Sequence, residues 1–374
     1  HHSIQHWDHW MQNSMRHNSQ KQLTPWRANG TQAKCPAVGG LLFACLLSVN
    51  LVGCWTRTES DVVVYTALDR EFSESILQQS SEPLGLKILP KYDLESTKTV
   101  GLVTRIQAEA NRPQCDLFWN NEILHTLRLK KAGLLRPVVI PSGAYPATFR
   151  DPEGYWYGFA ARARVLIINT EQYPEPSQRP ESIMDLVDPR WPTPRAIAKP
   201  LFGTTATHAA VLASTWDSSK FKNYYRRLSQ MATVVSGNKQ VAEGVASGEF
   251  GFGLTDTDDA MIELEKGGPV TLVFPDQKTD GLGTLFIPNT ICCLKNSPNP
   301  TGGEKLLEAL LRPEVESRLA SGPSSQIPLH QSIRFNSRCL NGQQVRWMDV
   351  DFEAAADRWD TTADFLIEEF QGSP

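Results

Sequence analysis

The sequence feature that most constrains the fold is a unit made of a short apolar strand, a polar corner and a helix, which recurs along the chain. The first copy begins with DVVVYT, Asp61 to Thr66, a β-branched run that is followed by Asp69 and by helical spacing of apolar residues from Phe72. Further strands are predicted at 86–90 and 116–119, with helices at 99–110 and 123–131. Repeats of this unit favour a parallel sheet with helices on both faces. We therefore predict an α/β fold with doubly wound sheets.

Another copy of the unit, Gly248 to Lys266, carries an acidic corner. Phenylalanine and glycine alternate before Thr255, which indicates a buried strand whose glycine face is approached by backbone. Asp256, Asp258 and Asp259 then begin the next predicted helix. One interpretation is an N-cap with further acids that offset the helix dipole, worth roughly 0.3–1 kcal/mol each. The other is a site for a cation, because carboxylates this close together repel one another.

Two longer stretches are predicted to cross between two lobes. Tyr155 to Asn169 is long, alternates in polarity and contains two arginines, and Thr284 to Leu294 is suited to cross back. The chain has 374 residues, which exceeds the ~250–300 at which a single core stops growing. The predicted boundaries place residues 55–162 and 288–374 in lobe 1 and residues 163–287 in lobe 2.

A third polar corner opens the helix predicted from Gly203, with the sequence GTTATH. A helix N-terminus favours an anion, because its free N–H groups and its dipole both present positive charge. Thr204, Thr205 and Thr207 would then help to hold that anion. The alternative is an ordinary threonine N-cap, in which the hydroxyl serves the helix alone.

The amino-terminal segment, residues 1–54, has the pattern of an export signal. Residues 1–31 are polar without apolar periodicity, and we interpret them as disordered or as lying upstream of the true start. The apolar run 37–52 is shorter than the ~20 residues of a membrane span and suits a signal peptide. It ends in LVGC, which resembles a bacterial lipobox. We therefore predict an exported protein that is tethered to a membrane by a lipid on Cys54; the alternative is an uncleaved apolar anchor.

Charge and motifs exclude several classes of function. The net charge is −4 and the pI is about 6.1, so we expect no nucleic-acid partner. The sequence has no G-x-S-x-G elbow, H-E-x-x-H pair or P-loop, so we do not expect an enzyme, although acids and histidine at sheet corners keep acid–base catalysis as an alternative. Beyond the signal segment the cysteines lack zinc-site spacing, and they fit either buried thiols or one disulfide from Cys339 to one of an adjacent pair: Cys115, Cys292, Cys293 and Cys339.

Several segments between Asp61 and Leu329 resemble the ferric-iron-binding periplasmic proteins of ABC importers. They include VVVYTALDREF, CDLFWNNEILHTLRLKKAGLL, YGFAARARVLIINT, VASGEFGFGLTDTDDA and LLRPEVESRLASGPSSQIPL. The resemblance implies the two-lobed periplasmic-binding-protein fold, which closes by hinge motion around one ligand. It also implies delivery to an ABC permease and its ATPase, a periplasmic or cell-envelope location, and a monomer.

The resemblance also suggests ligand residues, with a departure from the ferric pattern. Ferric members carry two adjacent tyrosines where this chain has Asp258 and Asp259, and a histidine of some members corresponds to Asp69. Carboxylate and imidazole groups would bind Fe(III) or another hard metal ion. The predicted metal ligands are Asp69, His208, Asp258 and Asp259. The wider predicted ligand-binding set is Asp69, Asn121, Glu122, Thr204, Thr205, Thr207, His208, Asp256, Asp258 and Asp259.

The resemblance leaves a second class of ligand open. The family also includes binders of sugar phosphates, phosphonates and other small organic solutes. For such a ligand, Thr204, Thr205 and Thr207 would hold the anion. The acidic corner would oppose it unless a metal ion or an ammonium group lay between them.

Overall fold

The computed structural model describes residues 61–93, 97–141, 144–333 and 337–372. The predicted signal segment, the lipobox and Cys54 lie outside these residues. Within the described ranges, no helix is both long enough and apolar enough to cross a membrane.

The first part of the chain forms three parallel strands with intervening helices, as the repeated unit predicts. Strand β1 lies between β2 and β3, and its register pairs Val64 with Leu117 of β3. The elements are β1 Asp61–Thr66, α1 Arg70–Ser81, β2 Lys87–Tyr92, α2 Val100–Ala108, β3 Leu117–Asn120, α3 Leu124–Lys131 and β4 Leu135–Arg136. We call this part, with the strand that returns to it, lobe 1.

The middle of the chain repeats the plan around a second set of strands, which we call lobe 2. Strand β6 pairs in parallel with both β7 and β8. The elements are β6 Arg195–Ala198, α4 Gly203–Thr215, α5 Ser218–Met231, β7 Thr233–Val235, α6 Asn238–Ala246, β8 Phe252–Asp256, α7 Thr257–Glu265 and β9 Val270–Val273. At Gly253 an added Cβ would lie 2.8 Å from the carbonyl oxygen of Ala196, so the predicted close backbone approach is present.

One long strand, β5 Tyr157–Asn169, is buried along its whole length and belongs to both lobes. Its first half pairs antiparallel with β10 Phe286–Leu294, as far as Ala163. Its second half pairs antiparallel with β8, beginning with Arg164 opposite Asp256. The change of partner therefore falls between Ala163 and Arg164, and it confirms the predicted crossing.

The rest of the chain packs against these sheets. Three helices follow β10: α8 Pro300–Leu310, α9 Pro313–Ser321 and α10 Phe352–Glu369. Helix α10 contacts α3 of lobe 1 as well as α4 and α5 of lobe 2. Arg128 on α3 pairs with Asp360 at 2.5 Å, and Arg358 donates to the carbonyl of Ala213 at 3.3 Å. The α/β organisation with doubly wound sheets is confirmed, and the four described cysteines are free, buried thiols.

Candidate functional site

A cavity lies where the polar corners of the two lobes face each other. Lobe 1 contributes Asp69 after β1 and Asn121 after β3, and lobe 2 contributes residues from the start of α4, α6 and α7. The carboxyl ends of parallel strands are where α/β sheets bind ligands. The cavity has a volume of about 20 Å³, and one water needs roughly 10–15 Å³. In this conformation the cavity has the size of an ion.

One acid of the corner, Asp256, is held by a saturated network. Its carboxylate accepts hydrogen bonds from Arg164 at 2.7 Å, from the Thr204 hydroxyl at 2.5 Å and from the Asn238 amide at 3.0 Å. Arg164 is fully buried, and it also donates to Thr205 at 3.3 Å. Asp256 occupies the N-cap position of α7, yet its side chain bonds these groups instead of the helix backbone.

The next acids, Asp258 and Asp259, are less well compensated. The Nε atom of buried Arg162 lies 3.1 Å from an Asp258 oxygen. Burial raises the pKa of Asp258, while the charge of Arg162 counteracts the rise. Burial and the neighbouring Asp258 charge raise the pKa of Asp259 well above its usual range. Ligand oxygens of Asp256, Asp258 and Asp259 lie within 4.8 Å of one another, so these carboxylates repel one another when they are ionised.

Cationic side chains line the same cavity. Lys98 of lobe 1 pairs with Asp69 at 2.7 Å, and Lys199 of lobe 2 faces the cavity near Ser236. Burial lowers the pKa of Lys199. The site therefore combines carboxylates with ammonium and guanidinium groups, a mixed character that residue types at the corners did not reveal.

Behind the cavity, a buried network connects the lobes. The Thr207 hydroxyl on α4 donates to Glu122 at 2.8 Å, and Glu122 also pairs with His125 at 3.2 Å. Burial opposes the charge of Glu122, but hydrogen bonds from His125, Thr207 and Asn120 outweigh it and lower its pKa. The described residues that line the cavity do not include Glu122 or Thr207. These two residues join the lobes instead of facing the space where a ligand would lie.

The predicted ligand His208 is not placed with the acids. The His208 side chain is buried in α4. It is not part of the carboxylate cluster that the described residues form at the corner. Burial and the nearby charge of Arg164 lower the pKa of His208 to about 3. The imidazole is therefore neutral at physiological pH and is packed within lobe 2.

The sequence model of a family described as bacterial extracellular solute-binding protein matches residues 120–355, more than half of the chain. The chain belongs to this family. Its members are transport receptors of ABC importers and not enzymes. For this receptor, the cavity between the corners of the two lobes is therefore the place to look for a transported solute.

Curated relatives of the receptor include two proteins of the cyanobacterium Synechocystis. Iron uptake protein A1 is 24% identical over 296 residues, which are 74% of this chain and 79% of the relative. Iron uptake protein A2 is 27% identical over 304 residues, which are 76% of this chain and 83% of the relative. The similarity thus covers most of each protein.

Solved structures confirm the two-lobed periplasmic-binding-protein fold. The apo ferric-ion-binding protein A of Pasteurella haemolytica matches with a TM-score of 0.73 at 18% identity, over 84% of this chain and 99% of that one. The Trichodesmium FutA protein with iron and citrate matches with a TM-score of 0.69 at 20% identity, over 84% and 100%. AfuA of Actinobacillus pleuropneumoniae, with fructose-6-phosphate bound, matches with a TM-score of 0.73 at 20% identity, over 83% and 99%. At these identities the matches show the receptor's fold alone.

Most of the predicted ligand-binding residues of the receptor do line one cavity. Seven of them do so: Asp69, Asn121, Thr204, Thr205, Asp256, Asp258 and Asp259. Sequence reasoning missed the basic residues, above all Arg162 and Arg164. The sequence did contain a signal for them. Arginines at positions i and i+2 of an apolar strand point to the same side of the sheet, and buried arginines require anionic partners.

Proposed function

We propose that the receptor binds a hard metal ion, such as Fe(III), in the cavity between its lobes. The observation that carries the proposal is the carboxylate cluster, in which oxygens of Asp258 and Asp259, with one of Asp256 beside them, lie within 4.8 Å of one another at a small cavity. Hard cations prefer oxygen ligands. The iron uptake proteins of Synechocystis support this choice.

The ligand roles follow from how each acid is already bonded. Asp256 is saturated by Arg164, Thr204 and Asn238, so it positions the corner. Asp258 and Asp259 have the raised pKa values of crowded carboxylates, and a cation relieves that crowding. Asp69 faces them from lobe 1. We propose Asp258, Asp259 and Asp69 as metal ligands, without His208.

A metal ion in this site needs further oxygen ligands, from water or from a small anion. The basic lining of Lys98, Arg162 and Lys199 suits an anion that accompanies the metal. The site would then hold the metal on its acidic side and the anion on its basic side.

A phosphorylated organic solute is the second candidate. It is favoured by Lys199 and Thr205, which line the cavity beside the N-terminus of α4. The AfuA structure shows that a protein of this fold accommodates a sugar phosphate. The small volume of the cavity argues against a hexose phosphate unless the lobes open wider around it.

Native mass spectrometry of the purified protein, before and after chelation, separates the two candidates. We expect a mass increase that matches one metal ion, with or without a small anion, and its loss after chelation. A chelator-resistant organic mass, or tight binding of fructose-6-phosphate by the metal-free protein, would favour the second candidate instead.

Visible absorption gives an independent test of the ligand set. A ferric site with phenolate ligands absorbs visible light intensely, whereas carboxylate ligands give no comparable band. Among the described residues, the cavity lining includes no tyrosine. Tyr65 donates to Glu109 at 2.8 Å, and Tyr157 donates to the carbonyl of Val138 at 2.6 Å. We therefore expect a nearly colourless iron complex, and an intense purple-red complex would contradict the proposed ligands.

We also propose that Cys54 carries a lipid that tethers the receptor to a membrane, on the strength of the LVGC sequence. Cys54→Ala should leave the protein in its precursor form. If the variant is still processed and remains bound to membranes, the lipoprotein proposal fails.

The lobe boundaries are likewise a proposal: residues 55–162 and 288–374 for lobe 1, and 163–287 for lobe 2. The strand β5 supports a division near residue 163, because it changes partner there. The helix α10 contacts both lobes, so its motion decides to which lobe it belongs. Hydrogen exchange with and without ligand would assign α10 to one lobe. The helix belongs to the lobe whose backbone protection changes together with its own.

A further inference from the structure

Arg162 spans the cleft between the lobes. Its guanidinium donates to the backbone carbonyl of Asn121 in lobe 1 at 2.5 Å, and its Nε lies 3.1 Å from Asp258 in lobe 2. The side chain is only 2% exposed. A single buried cation thus connects the corner after β3 with the acidic corner of α7.

The contact between Arg162 and Asp258 is an ion pair without a well-aligned hydrogen bond. Within the described residues, the Nε of Arg162 is a buried donor that has no hydrogen-bond partner. The Nε of Arg164 also lacks a partner, but a terminal nitrogen of Arg164 donates a hydrogen bond to Asp256 at 2.7 Å. A charged contact that lacks its hydrogen bond is weaker than one that has it. Asp258 is therefore the acid whose partner is more readily displaced.

Two hydrogen bonds between the lobes near the cavity do not use the charges of the acidic cluster, and Lys98 of lobe 1, whose charge also attracts Asp258 and Asp259, is paired with Asp69. The Gly203 N–H donates to the carbonyl of Lys98 at 3.2 Å, and Thr207 donates to Glu122 at 2.8 Å. These bonds form when the lobes approach, whatever lies beside Asp258. Arg162 differs because it shares an acid with the proposed ligand.

We infer that Arg162 is an internal counter-cation: it draws the two lobes together by pairing with Asp258, and a cationic ligand must displace it from that carboxylate. The first part stands on the contacts of Arg162 with Asn121 and Asp258. The second part rests on the proposed function, since it assumes a cation at Asp258.

The competition has a consequence for specificity. At equal distance, Coulomb attraction grows in proportion to ionic charge. An ammonium group or Na⁺ offers Asp258 no more charge than Arg162 already supplies, whereas a divalent or trivalent ion offers two or three times as much. Arg162 therefore sets a threshold of charge, and it selects multivalent metal ions over organic amines.

Closure of the empty protein is tested by spin labels on exposed residues of each lobe, at Ser75 and Ser219 of the chelated full chain. Arg162→Gln should lengthen the distance between the labels and shift its distribution towards an open form. Asp258→Asn should have the same effect, and the double variant should open no further, because both changes remove one interaction. Arg162→Lys keeps the charge and should restore most of the closed population.

Thermal unfolding of each variant is the control for misfolding. It is measured before the distances are compared, so that a change in distance is not mistaken for a loss of folded protein. An unchanged distance in Arg162→Gln would overturn the closure. Additive opening in the double variant would overturn the pairing with Asp258.

Metal titration of the same proteins tests the competition. With Mn²⁺ or Fe³⁺ as the probe, Arg162→Gln should bind at least about tenfold more tightly than the unmodified protein, because a competing like charge is gone. Equal or weaker binding would overturn the competition. If neither protein binds a metal ion, the proposed function fails, whereas the distance measurements still decide whether Arg162 closes the empty cleft.

Discussion

Two acid–arginine pairs lie side by side at the junction of the lobes, and they differ in how completely they are satisfied. Asp256 and Arg164 stand opposite each other in the β5–β8 ladder, and Thr204 and Asn238 donate further hydrogen bonds to the Asp256 carboxylate. The second pair joins Asp258, two residues after Asp256, with Arg162, two residues before Arg164 on β5. Its contact is an ion pair without a hydrogen bond.

The difference separates structure from function within one short corner. The Asp256 carboxylate already accepts hydrogen bonds at both oxygens, so it gains little from a ligand, and removing one partner of a buried ion pair is costly. Crowded carboxylates with raised pKa values are poised to accept a cation, because it relieves their repulsion. We therefore assign Asp256 to the framework, and Asp258 and Asp259 to ligand binding.

The largest expected effect on stability comes from breaking the saturated pair. Asp256→Asn leaves Arg164 buried without its counter-charge, and we expect a loss of about 3–5 kcal/mol in the free energy of unfolding. Asp258→Asn is the matched control, the same substitution two residues away, and it should cost less, because Arg162 keeps the nearby charges of Asp256, Asp259 and Asp69. Urea unfolding of both variants makes the comparison, and equal losses would contradict the assignment.

A smaller effect is expected from His208 in mild acid, over the first pH unit below 6.5. Its pKa in the folded protein, about 3, lies below the usual 6.5, so the unfolded chain binds the extra proton between these values. Stability should fall as the pH drops below about 6.5, by about 1.4 kcal/mol per pH unit from this group. His208→Gln should flatten that part of the profile relative to the unmodified protein. Parallel profiles for the two proteins would show that His208 does not titrate in this way.

The smallest effect is expected for Asp259→Asn. The raised pKa of Asp259 means that ionisation destabilises the folded protein above the unfolded pKa of about 3.9, and that this cost disappears at lower pH. The lost helix-dipole contribution of roughly 0.3–1 kcal/mol opposes the gain. Relative to the unmodified protein, the variant should therefore be most favoured near neutral pH and lose that advantage towards pH 4. A constant difference across this range would contradict the raised pKa.

Much of the fold could be predicted from the sequence, because its signals are local. Alternation and β-branched residues mark β1 and β8, and the length of the run to Asn169 marks the crossing strand. The corner after Thr255 could be predicted as a site because acids that follow a strand fall at its carboxyl end.

The pairing of acids with arginines could not be predicted from local pattern. It depends on the register that sets Arg164 opposite Asp256, and register is a property of the folded sheet. The same limit applies to His208, since only its packing within lobe 2 shows that the ring is buried away from the acids.

The most direct test of the account is metal affinity, measured by isothermal titration with Mn²⁺ and Fe³⁺ on the chelated protein. Asp258→Asn/Asp259→Asn should lose more than about 100-fold in affinity while unfolding within about 1–2 kcal/mol of the unmodified protein. The control Asp280→Asn/Asp349→Asn removes two exposed acids outside the cavity and should bind as the unmodified protein does. If the Asp258 and Asp259 double variant binds metal normally and only loses stability, these acids stabilise the helix and the proposed site is wrong.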